Sequence, residues 1–362
     1  MAVPAAAEAA PPLVFVSAFT AGEEGAIHAF ELDTTRGTLL PTHREAAIEN
    51  PFFIAVSPDQ RFLYAIDTPT FGGSEPESVA AFRILDRSGR LEPLGQRSTR
   101  GTASCYLETD SEGKRLLVAN YSSGSVASYR IDPDGSLSEP VSFVQHEGSS
   151  VDPKRQQQPH AHCFVFSPDG RFAYAADLGI DRILCYAVDP STAELSPNRQ
   201  PFVRTAPGSG PRHLAFHPDG QQLYVINELS NTLTSFVVIP ETGMLIERDS
   251  VDTLPPDFAD TSHTADVKVT PDGRFLYGTN RGHDSIAAFR IEAQGKLEPI
   301  EITASLGRGP QNLAITQDGR WLLCANMPGN NVAVFRITAD GRIESAGDPI
   351  EMPSPSCIRI LE

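Results

Sequence analysis

Residues 213–239 read HLAFHPDGQQLYVINELSNTLTSFVVI, and residues 266–291 read DVKVTPDGRFLYGTNRGHDSIAAFRI. Both stretches are one phrase. A short apolar strand runs into a Pro-Asp-Gly turn, and a second strand ends in Asn. A polar loop follows, then a third strand carrying an aromatic. A looser fourth strand comes next, as in KLEPIEITAS from Lys296. Working outward, the same turn position recurs at Gln60, Gly113, Gly170, Gly220, Gly273 and Gly319, at spacings of 53, 57, 50, 53 and 46 residues. A period of about 45–55 residues with four short strands per copy is the signature of a β-propeller.

Seven residues beyond each turn position stand Asp67, Asn120, Asp177, Asn227, Asn280 and Asn326. Such side chains close turns at strand ends, which accounts for the regularity without catalysis. Nine residues later come Tyr129, Tyr186, Phe236, Phe289 and Phe335, expected to pack between neighbouring blades. The first copy reaches Phe82 late, after an inserted Gly- and Pro-rich loop at residues 69–77. The seventh copy is divided. LVFVSAF and AIHAFELD near the N-terminus match second and third strands, and PSCIRILE at the C-terminus matches the missing first strand. Pairing the two ends closes the ring and hides both sheet edges. The expectation is an all-β, seven-bladed β-propeller of four-stranded antiparallel blades, the last closed by N- and C-terminal strands. It spans residues 13–362 as one domain, after a disordered tail at residues 1–12.

Composition agrees with this reading. The chain is 40% hydrophobic, with 28 Gly, 30 Pro and no helical periodicity. Its formal charge of −17 leaves no basic face for nucleic acid or an anionic membrane. No apolar run approaches the roughly 18 residues of a spanning helix. MAVPAAAEAAPP lacks a charged n-region and reads as a frayed tail rather than a signal peptide. The five cysteines (Cys105, Cys163, Cys185, Cys324 and Cys357) are odd in number, fall in expected strands and read as buried reduced thiols of a cytoplasmic protein.

In an antiparallel blade the start of the first strand and the end of the second lie at one edge, around one mouth of the central channel. Eight residues before the turn position stand Phe52, Cys105, His162, Arg212, Ala265 and Gln311. One residue further in come Phe53, Tyr106, Cys163, His213, Asp266 and Asn312. Just past the second strand stand Thr68, Tyr121, Leu178, Glu228, Arg281 and Met327. Ionisable groups gather in the third to fifth copies, so His162, Arg212, Glu228 and Arg281 are expected to converge at one mouth. Two arginines at one rim of so acidic a chain suit an anionic ligand. The competing reading makes them structural ion pairs with Glu228 or Asp266. The preceding loop, HEGSSVDPKRQQQPHAH, carries Lys154 and Arg155 and reads either as a partial lid or as a solvated surface loop. His160 and His162 form an H-x-H pair that, with Glu228, would suit a divalent metal. The neighbouring arginines disfavour a cation, and no carboxylate cluster suits calcium, so neither metal nor other cofactor is expected.

QPHAHCFVFSPDGR, GPRHLAFHPDG, LYVINELSNTL and TADVKVTPDGRFLYGTNRGHDSIAAF closely resemble the seven-bladed lactonase family of bacterial 6-phosphogluconolactonases. The similarity runs from about Leu13 to the C-terminus. PHAH, GPRH, NEL and NRGHDSI, in this order, are its specific marks. The WD40 pattern is absent, with Trp321 the only tryptophan. The family includes a fungal enzyme that lactonises 3-carboxy-cis,cis-muconate, and the resemblance implies that its catalytic His, Glu and two Arg correspond to His162, Glu228, Arg212 and Arg281, without metal.

On this resemblance the expected activity is hydrolysis of 6-phospho-D-glucono-1,5-lactone to 6-phospho-D-gluconate, in the pentose phosphate pathway. Arg212 and Arg281 are assigned to the phosphate or the developing oxyanion. Glu228 is favoured as general base, with His162 assisting proton transfer. His160, Asn227, Asp266, His283 and Asn312 either hold the sugar hydroxyls or support the groups that do. A lactonase or cyclase acting on another anionic lactone, and a non-enzymatic binding platform, are the alternatives. The expected partner is a small anionic sugar lactone, with no nucleic acid and no membrane, and the chain is expected to be a monomer or weak homodimer.

Overall fold

The repeated turn is built by its own residues. In the third blade the Ser167 hydroxyl donates to Asp169 Oδ1 at 2.6 Å, and the Arg171 amide donates to the same oxygen at 3.1 Å. Gly170 then takes φ +67°, a left-handed conformation in which a side chain is strained. Gln60 adopts φ 58° at the equivalent place, the one turn of the six without glycine. The computed structural model describes residues 10–22, 25–45 and 48–362. It repeats this turn around a ring of seven antiparallel sheets.

Each sheet is one blade, and in blades 1 to 6 the strands run in chain order from the channel outward. Blade 1 covers residues 54–98, blade 2 residues 104–145, blade 3 residues 161–204, blade 4 residues 211–252, blade 5 residues 263–304 and blade 6 residues 310–351. The sixth blade's outer strand is broken into two pieces that both pair with Asn331–Ile337. Blade 7 is the divided one. Its inner strand, Pro355–Leu361, pairs with Leu13–Ala18, with Val16 opposite Ile358, and Ala26–Asp33 and Thr38–Glu45 complete the sheet. This is the ring closure read from the two chain ends.

The aromatics of the third strands are core residues. Tyr129, Tyr186, Phe236, Phe289 and Phe335 are all buried, as is Phe82. Blades are also stitched by hydroxyls. Tyr64, Tyr174 and Tyr277 donate to the carbonyls of Gly135, Gly243 and Gly341 in the next blade, at 2.9–3.1 Å. The five cysteines are free and buried. Of the expected N-terminal tail, residues 1–9 lie outside the described residues. The Pro11 and Pro12 carbonyls already accept hydrogen bonds from Arg87 and from the Leu32 amide. Among the described residues no helix is long and apolar enough to cross a membrane.

Candidate active site

One irregularity of the blades sets the direction of the site residues. Where the inner strands of blades 2 to 7 begin, the pairing slips by a residue, and in blades 2, 3, 4 and 6 the extra residue is the one eight before the turn. It is Cys105 in blade 2, His162 in blade 3, Arg212 in blade 4, Gln311 in blade 6 and Ser356 in blade 7. In blade 5 the slip takes in both Ala265 and Asp266. A bulge re-aims its side chain out of the normal alternation. His162 and Arg212 are therefore placed beneath the loop-side mouth by a feature that six of the seven blades share, and only residue identity makes them special.

Glu228 is the centre of the site. It follows the strand Gln222–Asn227, and its amide donates to the Gly210 carbonyl at 2.7 Å, which fixes the backbone. Its Oε2 accepts from Arg212 Nε at 3.0 Å and from an Arg281 terminal nitrogen at 2.8 Å. Its Oε1 accepts from Arg155 at 2.6 Å. Three guanidinium groups thus surround one carboxylate. Burial alone would raise the Glu228 carboxyl, but Arg281, Arg212, His162 and Arg155 outweigh it and hold it well below the usual range.

The three arginines are not equivalent. Arg212 has a side chain only 2% exposed, whereas those of Arg155 and Arg281 are 34% and 27% exposed. Arg212 also donates to the Ala265 carbonyl at 2.6 Å and to His213 Nε2 at 3.2 Å. Burial and the Arg281 charge pull it down to about 10, so it stays protonated at neutral pH. Arg281 is anchored through the Thr264 carbonyl at 3.0 Å and keeps its outer edge toward the mouth. His162 is buried and neutral, because burial and the Arg212 charge push it well below the usual imidazole range.

The sequence offers Arg155 only as part of a loop that either covers the mouth or lies in solvent. It reaches into the site, while Lys154 is exposed. The loop is locally built to do this. Asp152 Oδ1 accepts from the amides of Lys154 and Arg155 at 2.8 and 3.0 Å, and buried Gln156 donates to the Leu178 carbonyl at 2.8 Å. Gly179 lets the loop lie this close, since a Cβ there would collide with the Gln158 carbonyl. Tyr121 was also missed as a site residue. Its hydroxyl meets Arg155 at 3.3 Å, and its ring stacks on His160 at 4.4 Å and meets His162 edge-on at 5.5 Å.

The remaining candidates sit at different depths. His160 is half-buried beside the mouth, its Nδ1 3.0 Å from the Tyr121 carbonyl. His283 stands on the rim against Phe258, with Nδ1 2.7 Å from the Ser285 hydroxyl. Asn227 is closed off and donates to Thr232 and Thr234, while its Oδ1 is buried without a partner. Asp266 and Asn312 lie inside the channel. Asp266 takes hydrogen bonds from His213, Lys268, Asn312 and the Leu313 amide, and Asn312 accepts from the Ile358 amide. These two join neighbouring blades and meet no solvent at the mouth. Among the described residues no group of three or more His, Cys, Asp or Glu side chains is placed to hold a metal.

The model of the seven-bladed β-propeller lactonase family matches residues 13–360. The chain belongs to that family. It is 36% identical over 299 residues to a 6-phosphogluconolactonase of Bacillus subtilis, covering 82% of this chain and 83% of that protein. It is 31% identical over 309 residues to a 6-phosphogluconolactonase of Formosa agariphila, covering 83% and 85%. Among solved structures it superposes on the periplasmic gluconolactonase of Pseudomonas aeruginosa with a TM-score of 0.90 at 33% identity, over 97% of this chain and 99% of that one.

Proposed function

We propose that this chain hydrolyses 6-phospho-D-glucono-1,5-lactone to 6-phospho-D-gluconate, as a carboxylic ester hydrolase of the pentose phosphate pathway. It works in the cytoplasm as a monomer or weak homodimer, without a metal or other cofactor. One observation carries the reading: Arg155 and Arg281 both reach the mouth and both rest on Glu228. Two solvent-facing guanidinium groups on one carboxylate make a cradle for an anion, and the carboxylate fills it until the anion arrives.

The resting geometry supports one way of switching the base on. With three arginines attached, Glu228 binds a proton too weakly to activate water. A substrate phosphate that draws Arg281 and Arg155 toward itself leaves Glu228 with Arg212 alone, and its carboxyl rises. Water then attacks C1 of the lactone and gives its proton to Glu228, with neutral His162 beside it to pass that proton on. The C1–ring oxygen bond breaks as the tetrahedral oxyanion collapses, and the proton ends on the departing ring oxygen. Arg212 is a positioning residue, fixing the Glu228 carboxylate from below.

A second reading takes unphosphorylated gluconolactone as substrate. It is favoured by the fact that each of the three arginines already spends a hydrogen bond on Glu228. Initial rates of hydrolysis of both lactones, with and without a chelator, separate the readings. Preference for the phosphorylated lactone, unaffected by chelator, supports the first. Equal rates support the second, and no turnover of either rejects both.

A further inference from the structure

The channel has a second mouth, on the face of the Pro-Asp-Gly turns, and it opens into a cavity of about 620 Å³. The two mouths are separate. Phe53, Tyr106 and His213 meet ring to ring across the channel at 4.6 and 5.3 Å, and all three are buried. Below this plug the inward position of each blade is the residue five before the turn. Ala55, Val165, Ala215 and Ala314 occupy four of these places and leave the space empty, while Glu108, Lys268 and Arg359 occupy the other three.

The three charged residues differ in what they have left to give. Lys268 is spent on Asp266, at 2.8 Å to both carboxylate oxygens. Glu108 is held by the Tyr106 hydroxyl and the Phe166 amide, each at 3.1 Å, and burial raises its carboxyl to about 7. Arg359 lies over the Phe53 ring at 4.8 Å and spends one N–H on the Ile358 carbonyl at 2.8 Å. Among the described residues no carboxylate pairs with it. A guanidinium enclosed in a channel with most of its donors unused is a site for a planar anion.

We propose that the turn-face mouth is a second binding site, which takes a small organic monocarboxylate with its carboxylate on Arg359 and its carbon body against the apolar wall. The cavity is of ligand size. Val165, Ala215, Ala314 and Phe166 supply apolar surface, and Glu108 in the lining, with Asp266 deeper in the channel, opposes a dianion such as phosphate. The site lies across the plug from Glu228, so its occupancy is independent of the lactone reading.

Calorimetric titration with benzoate tests this, with benzamide as the neutral isostere. Wild type and Arg281→Ala should bind benzoate alike. Benzamide on wild type, and benzoate on Arg359→Met, should each bind at least tenfold more weakly. Unchanged lactone hydrolysis by Arg359→Met would show that the ring is intact. Should that variant fail to fold, crystals of the wild type soaked in 4-bromobenzoate decide the matter, with anomalous signal from bromine expected in the turn-face mouth. Benzoate affinity lost in Arg281→Ala but kept in Arg359→Met, equal binding of benzamide, or no bromine in this mouth would overturn the proposal.

Discussion

Arg155 donates to Glu228 Oε1 at 2.6 Å across a gap of 73 residues in the chain. The contact ties the loop before blade 3 to the end of a strand in blade 4 and makes the loop part of the site. Replacing Arg155 by Ala should therefore act on the substrate rather than on the fold. A charge-assisted contact is worth about 1.5–3 kcal/mol, so kcat/KM for the phosphorylated lactone should fall about tenfold or more. The melting temperature should stay close to wild type. Steady-state kinetics beside a thermal melt check both statements.

Glu228→Gln keeps the shape and removes the charge that three guanidinium groups now share. Loss of the base should reduce kcat by about two orders of magnitude or more. The freed arginines should keep KM unchanged or lower it. A raised KM with unchanged kcat would make Glu228 a binding group only.

The neutral state of His213 carries a pH signature. Burial and the Arg212 charge lower its ring to about 3 in the folded chain, against an ordinary 6.5. The unfolded chain takes up a proton as pH drops below 6.5, and the folded chain does not until near 3. Stability is thus complete above 6.5 and is lost as pH falls through that window. His213→Gln can keep both hydrogen bonds, to Asp266 and from Arg212, without a titrating ring. Calorimetric melts between pH 4 and 7 should slope less steeply for this variant than for wild type. Equal slopes would show that His213 titrates normally.

Removing residues 353–362 takes away the strand that pairs with Leu13–Ala18 and opens the ring. The newly exposed edges should cost several kcal/mol, a large part of the roughly 5–15 kcal/mol that holds a domain together. Lower melting temperature and aggregation are expected in a melt followed by light scattering. Unchanged melting would mean that the closure contributes little.

The ring of blades was legible because each turn has a positive φ that glycine satisfies, and glycine therefore marks the register. Arg212, Glu228 and Arg281 were legible for the same reason, since each occupies a position counted from a turn. Arg155 was not, because its loop lies outside the repeat and carries no register. Tyr121 shares the register of Glu228, but an uncharged ring gave no signal among ionisable neighbours. Asp266 and Asn312 stand one residue beyond the mouth position of their strands. The bulge there separates a mouth position from a channel position, and strand alternation alone does not say which one a ligand meets.

The proposed activity turns on Glu228 resting in a cradle that suits a phosphate. The most direct test is the ratio of kcat/KM for 6-phospho-D-glucono-1,5-lactone over gluconolactone, measured for wild type and for Arg281→Ala. A high ratio is expected in wild type, with a fall of about tenfold or more in the variant. A ratio that Arg281→Ala leaves unchanged would contradict this and assign Arg281 to the oxyanion or to Glu228 alone.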